Sequence, residues 1–246
     1  MLCTQSLYCA AQRRTLANLT TSTMIQEDSG YLICDQIFAR SEIESLERAL
    51  AGAHVERTKA GARHVLKVPA VRALSTDPRL MRLAGQCLGR PPIPFRATLF
   101  DKSPSANWLV VWHQDTALPL CKRHDRPGWG PWSTKAGVLY AHAPAAALEQ
   151  IVALRVSLDD STATNGPLHV LPNTHRRGVL TDEQIAMVAR EVAAVDCVGR
   201  AGGVVAMRPL TIHASSKSVD GRPRRVLHLE YAATVNFGGD VELMVG

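Results

Sequence analysis

Trp108-Leu109-Val110-Val111-Trp112-His113-Gln114-Asp115 is an apolar run that ends in two metal-ligating residue types. In an extended strand, residues i and i+2 point to the same face, so the imidazole of His113 and the carboxylate of Asp115 converge. A charged aspartate at the end of a buried strand is costly unless something compensates it, and a divalent cation would do so. A third ligand must then arrive from elsewhere in the chain. His213 sits at the end of another β-like stretch, residues 204–213.

Two imidazoles and one carboxylate leave three coordination positions open. That is the arrangement of non-haem iron(II) centres, with two positions for a bidentate oxoacid and one for dioxygen. Zinc usually closes tetrahedrally and keeps one open position. The spacing alone is a weak signal, because the chain has nine histidines. His124, His142, His169 and His175 lie in polar, loop-like or proline-flanked stretches and read as solvated side chains.

Arg224 supplies an independent check. It lies eleven residues beyond His213, just after the turn signal Asp220-Gly221 and at the start of the next β-prone run. That connection returns the chain antiparallel, which lets Arg224 point back towards the metal end. A planar guanidinium holds the distal carboxylate of a dicarboxylate bidentately. Ser215, two residues past His213, is a candidate for a second hydrogen bond to it.

Around this pair of strands the chain is rich in short β-prone runs: 95–100, 151–158, 167–171, 203–207 and 224–232. The N-terminal third reads differently. A first strand is expected over 31–37, then a helix with Ser41 and Glu44 as a capping box leading into Ile43, Leu46 and Leu50. A second helix is expected over 77–88, ended by Gly89. Many short strands behind a helical segment predict a mainly β sandwich or barrel with flanking helices. The stretch 116–150, with four prolines and two tryptophans, reads as one long loop on the substrate side. Residues 1–24 carry Arg13 and Arg14 and no acid; they read as a disordered tail, although a transit peptide has a similar composition. Residues 25–246 then form a single domain.

Composition narrows the class. With 46% hydrophobic and 20% charged residues, the chain is an ordinary globular protein. No apolar run reaches membrane-spanning length. Six scattered cysteines without a CxxC pair argue against structural zinc and against a disulfide framework, and so for a reducing, cytoplasmic setting. The net charge of +6 is spread along the chain rather than striped, which fits attraction of an acidic small molecule better than nucleic-acid binding.

These residues together resemble the phytanoyl-CoA dioxygenase family, which includes ectoine hydroxylase. The resemblance is carried by Trp112-His113-Gln114-Asp115, by the stretch from Asn165-Gly166-Pro167 to Asn173-Thr174-His175, by His213-Ala214-Ser215 and by Arg224-Arg225, with Gly30-Tyr31-Leu32 as the opening strand. It spans roughly residues 28–232. It implies a double-stranded β-helix (jelly roll), iron(II) held by His113, Asp115 and His213, and 2-oxoglutarate anchored by Arg224 and Ser215. Lys67 loosely matches a lysine that some members place near the co-substrate. Two departures stand out: the stretch 116–150 is longer than in the phytanoyl-CoA enzyme, and Arg155 replaces a tryptophan near the co-substrate. Arg155 lies either on the exposed face of its strand or in the site as a second carboxylate anchor. Trp129 and Trp132 either wall a substrate pocket or pin the loop to the barrel, and Gln114 joins them as a substrate-side candidate.

The implied reaction is hydroxylation of an unactivated C–H bond of a small molecule. Dioxygen is consumed, succinate and carbon dioxide are released, and ascorbate is a candidate reductant. Related halogenases lack the carboxylate ligand, so Asp115 favours hydroxylation. The rival readings are a non-catalytic jelly-roll binding protein with a vestigial metal site, and a cupin-like metal hydrolase or isomerase, which would have no use for Arg224.

Overall fold

The computed structural model describes residues 29–58, 61–103 and 106–246, together with a two-residue strand, β1 (Arg13–Arg14). The expected tail 1–24 otherwise lies outside the described residues. The strands that follow are β2 (Tyr31–Cys34), β3 (Arg57–Thr58), β4 (Gly61–Ala62), β5 (Ile93–Lys102), β6 (Val110–His113), β7 (Ala117–Leu120), β8 (Trp132–Lys135) and β9 (Val138–His142). Beyond them come β10 (Ile151–Ser157), β11 (Leu168–Val170), β12 (Val195–Cys197), β13 (Val204–Met207), β14 (His213–Ser215) and β15 (Arg224–Ala232). They form an eight-stranded sheet in the order β1-β2-β13-β10-β15-β5-β4-β3, and a four-stranded sheet in the order β12-β11-β14-β6. Side chains of both sheets line one cavity, so the sheets face each other as a jelly roll requires.

Alternation along the large sheet explains both of its faces. Leu227, Leu229 and Tyr231 of β15, Val152, Leu154 and Val156 of β10, and Ala97 and Leu99 of β5 belong to the main apolar core. Helices α1 (Arg40–Ala51), α2 (Pro69–Ser75) and α3 (Pro78–Leu88) contribute Ile43, Leu46, Val71, Leu80 and Leu83 to that core. The intervening positions carry Arg96, Lys102, Arg155, Arg224, His228 and Glu230. A strand that is apolar on one face and charged on the other is stable only if the charged face meets a polar chamber or partners. Both are present.

Helix α3 starts as expected, with the Asp77 carboxylate accepting the Arg79 N–H at 2.8 Å, and ends on Gly89 at φ +66°. Helix α1 departs from expectation. Its cap is Ala39 rather than Ser41, and the Ala39 N–H is satisfied by Glu42 at 2.8 Å. Arg79 of α3 grips the same carboxylate at 2.7 Å, so an ion pair from that helix fixes the start.

The stretch 116–150 is not one loop. It folds into a third sheet in the order β7-β9-β8, followed by the short helix α4 (Ala145–Leu148). Pro119 masks β7 in the sequence, but β7 is an edge strand, where a missing N–H is tolerated. The β8–β9 turn uses Ala136 and Gly137, both at positive φ, instead of an Asn-Gly signal. Leu118, Leu120 and Ala141 of this sheet pack with Phe95, Leu148 and Ile151 in a second apolar core.

Candidate active site

His113 ends β6 and His213 begins β14, and the two are directly opposed in register on neighbouring antiparallel strands. Their ring centroids are 4.2 Å apart. The Asp115 carboxylate reaches over both: Oδ1 is 3.7 Å from His113 Nε2 and Oδ2 is 3.5 Å from His213 Nε2. Ligand atoms of all three lie within 4.8 Å of one another, the one such cluster among the described residues. His113 Nδ1 sits 2.9 Å from Val111 O, and His213 Nδ1 sits 2.9 Å from Thr211 O. A carbonyl only accepts, so both Nδ1 atoms carry the proton and both Nε2 lone pairs are left facing Asp115.

Charge states agree with that geometry. Burial, only partly opposed by Asp115, pushes the His213 imidazole down to about 4, so it is neutral at neutral pH. Burial alone would raise Asp115. His213, His228, His113 and Arg96 outweigh it and hold the carboxyl well below the usual range. A neutral His213 imidazole and an ionised Asp115 carboxylate are the protonation states in which these two groups bind a divalent metal. The donor set fits iron(II).

A cavity of about 110 Å³ opens beside the cluster and continues to Arg155, Ser215 and Arg224, with Phe100 and Trp108 in its wall. Arg224 faces Lys102 in register across β15 and β5. Lys102 is fully buried, and Arg224 and Arg155 are nearly so. Arg224 donates through Nη2 to Ser215 Oγ at 3.1 Å, while its buried Nε has no hydrogen-bond partner among the described residues. Arg155 donates to His228 Nδ1 at 3.0 Å, and its guanidinium lies over the Phe100 ring, 5.4 Å from the centroid. His228 Nε2 in turn is 3.8 Å from the Glu230 carboxylate, which Arg96 holds.

Burial, reinforced by mutual repulsion, destabilises these cations. The Lys102 ammonium is pushed down to about 8 by burial, Arg224 and Arg155. Arg224 falls to about 10 by burial and by Arg155, and burial lowers Arg155 as well. Arg155 and Arg224 line this small chamber, and Lys102 donates to Ser215 of its wall at 2.9 Å, so the group of buried cations forms a site for an anion.

Six of the residues singled out in the sequence therefore come together: His113, Asp115, His213, Arg224, Ser215 and Arg155. Four do not. Lys67 is exposed on a short turn (Val65–Lys67) and lines a separate cavity with Phe95 and Met244. Gln114 points to the opposite side of its strand from its neighbours. Its amide donates to Gly178 O and Leu210 O at 2.9 and 2.8 Å and accepts from Leu180 N at 2.9 Å, which makes it a buried cross-link outside the chamber wall. Trp129 and Trp132 flank His124 and pack on the second apolar core, with Trp129 also against Phe237. They are not among the residues lining the metal cavity. Lys102 is the residue that sequence reasoning missed. Its signal was the period-2 alternation of Arg96, Thr98, Phe100 and Lys102, which extends the strand two residues beyond its expected end.

Comparison with known proteins bears on the same site. The family model described as phytanoyl-CoA dioxygenase (PhyH) matches residues 26–226. L-proline trans-4-hydroxylase of Streptomyces griseoviridis is 28% identical over 185 residues, covering 65% of this chain and 61% of that enzyme. The chain thus spans under two thirds of the length of that relative. Ectoine dioxygenase of Bordetella bronchiseptica is 23% identical, covering 85% of this chain and 74% of the relative. Among solved structures, EctD from S. alaskensis with 2-oxoglutarate and 5-hydroxyectoine superposes with a TM-score of 0.66 at 22% identity, over 87% of this chain and 77% of that one. HygX from Streptomyces hygroscopicus with nickel, 2-oxoglutarate and hygromycin B gives 0.64 at 18% identity, over 90% of each chain.

Proposed function

The chain belongs to the phytanoyl-CoA dioxygenase family, and on that footing we propose that it is an iron(II)- and 2-oxoglutarate-dependent dioxygenase. It hydroxylates an unactivated C–H bond of a small molecule and releases succinate and carbon dioxide. One observation carries the reading: a His-Asp-His cluster and a chamber of buried cations share a single cavity.

His113, Asp115 and His213 hold the iron. Bound iron supplies dioxygen activation coupled to oxidative decarboxylation of the oxoacid. The protein's own part is positioning. The Nδ1–H bonds to Val111 O and Thr211 O hold the two imidazoles in one tautomer and one orientation. Arg224 draws the distal carboxylate of 2-oxoglutarate to the inner end of the cavity, which leaves the oxoacid end beside the metal ligands. Arg155 is coupled electrostatically to both Asp115 and Arg224. It adds a second positive group for a carboxylate of the co-substrate or of the substrate.

The relatives take their names from proline and ectoine, and the HygX structure holds hygromycin B, which supports a small polar substrate for this chain as well. No helix among the described residues is long and apolar enough to cross a membrane. Among the described residues Cys34 and Cys121 are free thiols, in keeping with a reducing compartment such as the cytoplasm. A vestigial site on a binding protein is disfavoured by the intact ligand set and the cost of keeping three cations buried.

Succinate release tests the proposal. Protein supplied with iron(II), 2-oxoglutarate and ascorbate is expected to form succinate slowly even without its substrate. No succinate, together with an iron(II) absorption spectrum unchanged by 2-oxoglutarate, would overturn it.

A further inference from the structure

Ser215 cannot play the part its position first suggests. A serine hydroxyl has one proton, and here it is committed: Oγ donates to Gly166 O at 3.0 Å. Its lone pairs accept from Arg224 Nη2 at 3.1 Å and from Lys102 Nζ at 2.9 Å. Ser215 thus has no donor left for a carboxylate. What it does is bring two cations to one oxygen atom.

Lys102 is fully buried, and it faces Arg224 directly across the strand pair. Its other hydrogen bond goes to the backbone carbonyl of Ser216, and no carboxylate among the described residues pairs with it. An ammonium has three donors, so one remains after Ser215 and Ser216, and Nζ also lies 5.4 Å from the centre of the Trp108 ring, which walls the cavity. The buried Nε–H of Arg224 likewise has no acceptor among the described residues. Asp159 offsets part of the cost at Arg224, but two buried cations side by side still repel each other, and an anion between them would relieve that repulsion.

Accordingly, and resting on the co-substrate reading above, we infer that Lys102 is the second donor to the distal carboxylate of 2-oxoglutarate. Arg224 and Lys102 form a two-cation clamp, and Ser215 positions them rather than binding. Gly166 is part of the same device. At φ +74° it offers its carbonyl to Ser215, and a Cβ there would come within 2.4 Å of Ser216 O and 3.1 Å of Lys102 Nζ.

The test is a calorimetric titration of anaerobic iron(II)-loaded protein with 2-oxoglutarate and with 2-oxopentanoate, which has the same chain length but no distal carboxylate. Lys102→Met is expected to weaken 2-oxoglutarate roughly 10- to 100-fold, the worth of a charge-assisted hydrogen bond. The same variant should leave 2-oxopentanoate and iron(II) affinities unchanged. Ser215→Ala is expected to cost less than Lys102→Met, and Lys102→Arg to recover part of the loss. Equal weakening of both oxoacids would mean that Lys102 is merely structural, and a larger loss from Ser215→Ala would return the role to the serine. If 2-oxoglutarate binding survives Lys102→Met but not Arg224→Ala, this inference fails alone. If the native protein does not bind 2-oxoglutarate, the co-substrate reading fails with it.

Discussion

His113 and His213 face one another in register across two neighbouring strands, and each donates its Nδ1–H to the carbonyl two residues before it. The same local hydrogen bond, used twice, leaves two Nε2 atoms turned to Asp115. A strand pair therefore presents two of the three ligands without help from any loop.

Removing either imidazole should abolish the site. His213→Ala or His113→Ala is expected to lower iron(II) affinity by at least about 100-fold, in line with the loss of a ligand from a three-ligand set. Equilibrium dialysis against iron(II) checks this; retained stoichiometric binding in both variants would remove them from the metal.

Arg224 should separate the two cofactors. Arg224→Ala is expected to weaken 2-oxoglutarate by roughly 100-fold or more, because a buried charged partner is lost. Iron(II) affinity should change little, since Arg224 touches no ligand. Parallel titrations decide it, and equal losses of both would contradict the assigned role.

Affinity for 2-oxoglutarate should depend on pH through Lys102, which faces Arg224 on β15, Arg155 on β10, and the Ser215 hydroxyl and Ser216 carbonyl at the end of β14. In the free protein this ammonium loses its proton near pH 8 rather than near its ordinary 10.5. The dicarboxylate needs it charged, so binding above about pH 8 must take up a proton, and affinity falls as pH rises. Stability of the co-substrate-free protein has the opposite sign. Between about 8 and 10.5 the unfolded chain binds more protons at this residue than the folded one, so stability rises with pH there. Titrations at several pH values check the first, and Lys102→Met should flatten the profile; thermal melts over the same range check the second.

Gly166→Ala should damage fold and site together. The left-handed backbone costs an alanine about 1 kcal/mol or more, and the Ser216 carbonyl stands in the way of its Cβ. A lower melting temperature with weakened 2-oxoglutarate binding is expected. An unchanged melting point and affinity would show that this turn does not support the clamp.

Much of this was legible in the sequence because period-2 patterns are local. His113 and Asp115 share a face by spacing alone, and the turn at Asp220-Gly221 brings Arg224 back towards them. What was not legible needed partners distant in sequence. Gln114 sits between two ligands yet belongs to the other face, where three backbone groups from 178, 180 and 210 occupy its amide. Lys67 and Lys102 are both lysines upstream of the cluster, and only strand pairing shows which one lies beside Arg224 and Ser215. Trp129 and Trp132 sit in a segment whose proline and polar strands hid a small sheet. Helix α5 (Asp182–Glu191) was overlooked despite a readable signal, the reciprocal capping of Thr181 and Gln184.

The most direct measurement is a crystal structure of the protein loaded anaerobically with iron(II) and 2-oxoglutarate. The expected result is one iron bound by His113 Nε2, His213 Nε2 and the Asp115 carboxylate. The oxoacid end of 2-oxoglutarate would chelate it, and the far carboxylate would lie between Arg224 and Lys102. A metal bound elsewhere, or 2-oxoglutarate lying away from these two cations, would contradict the account.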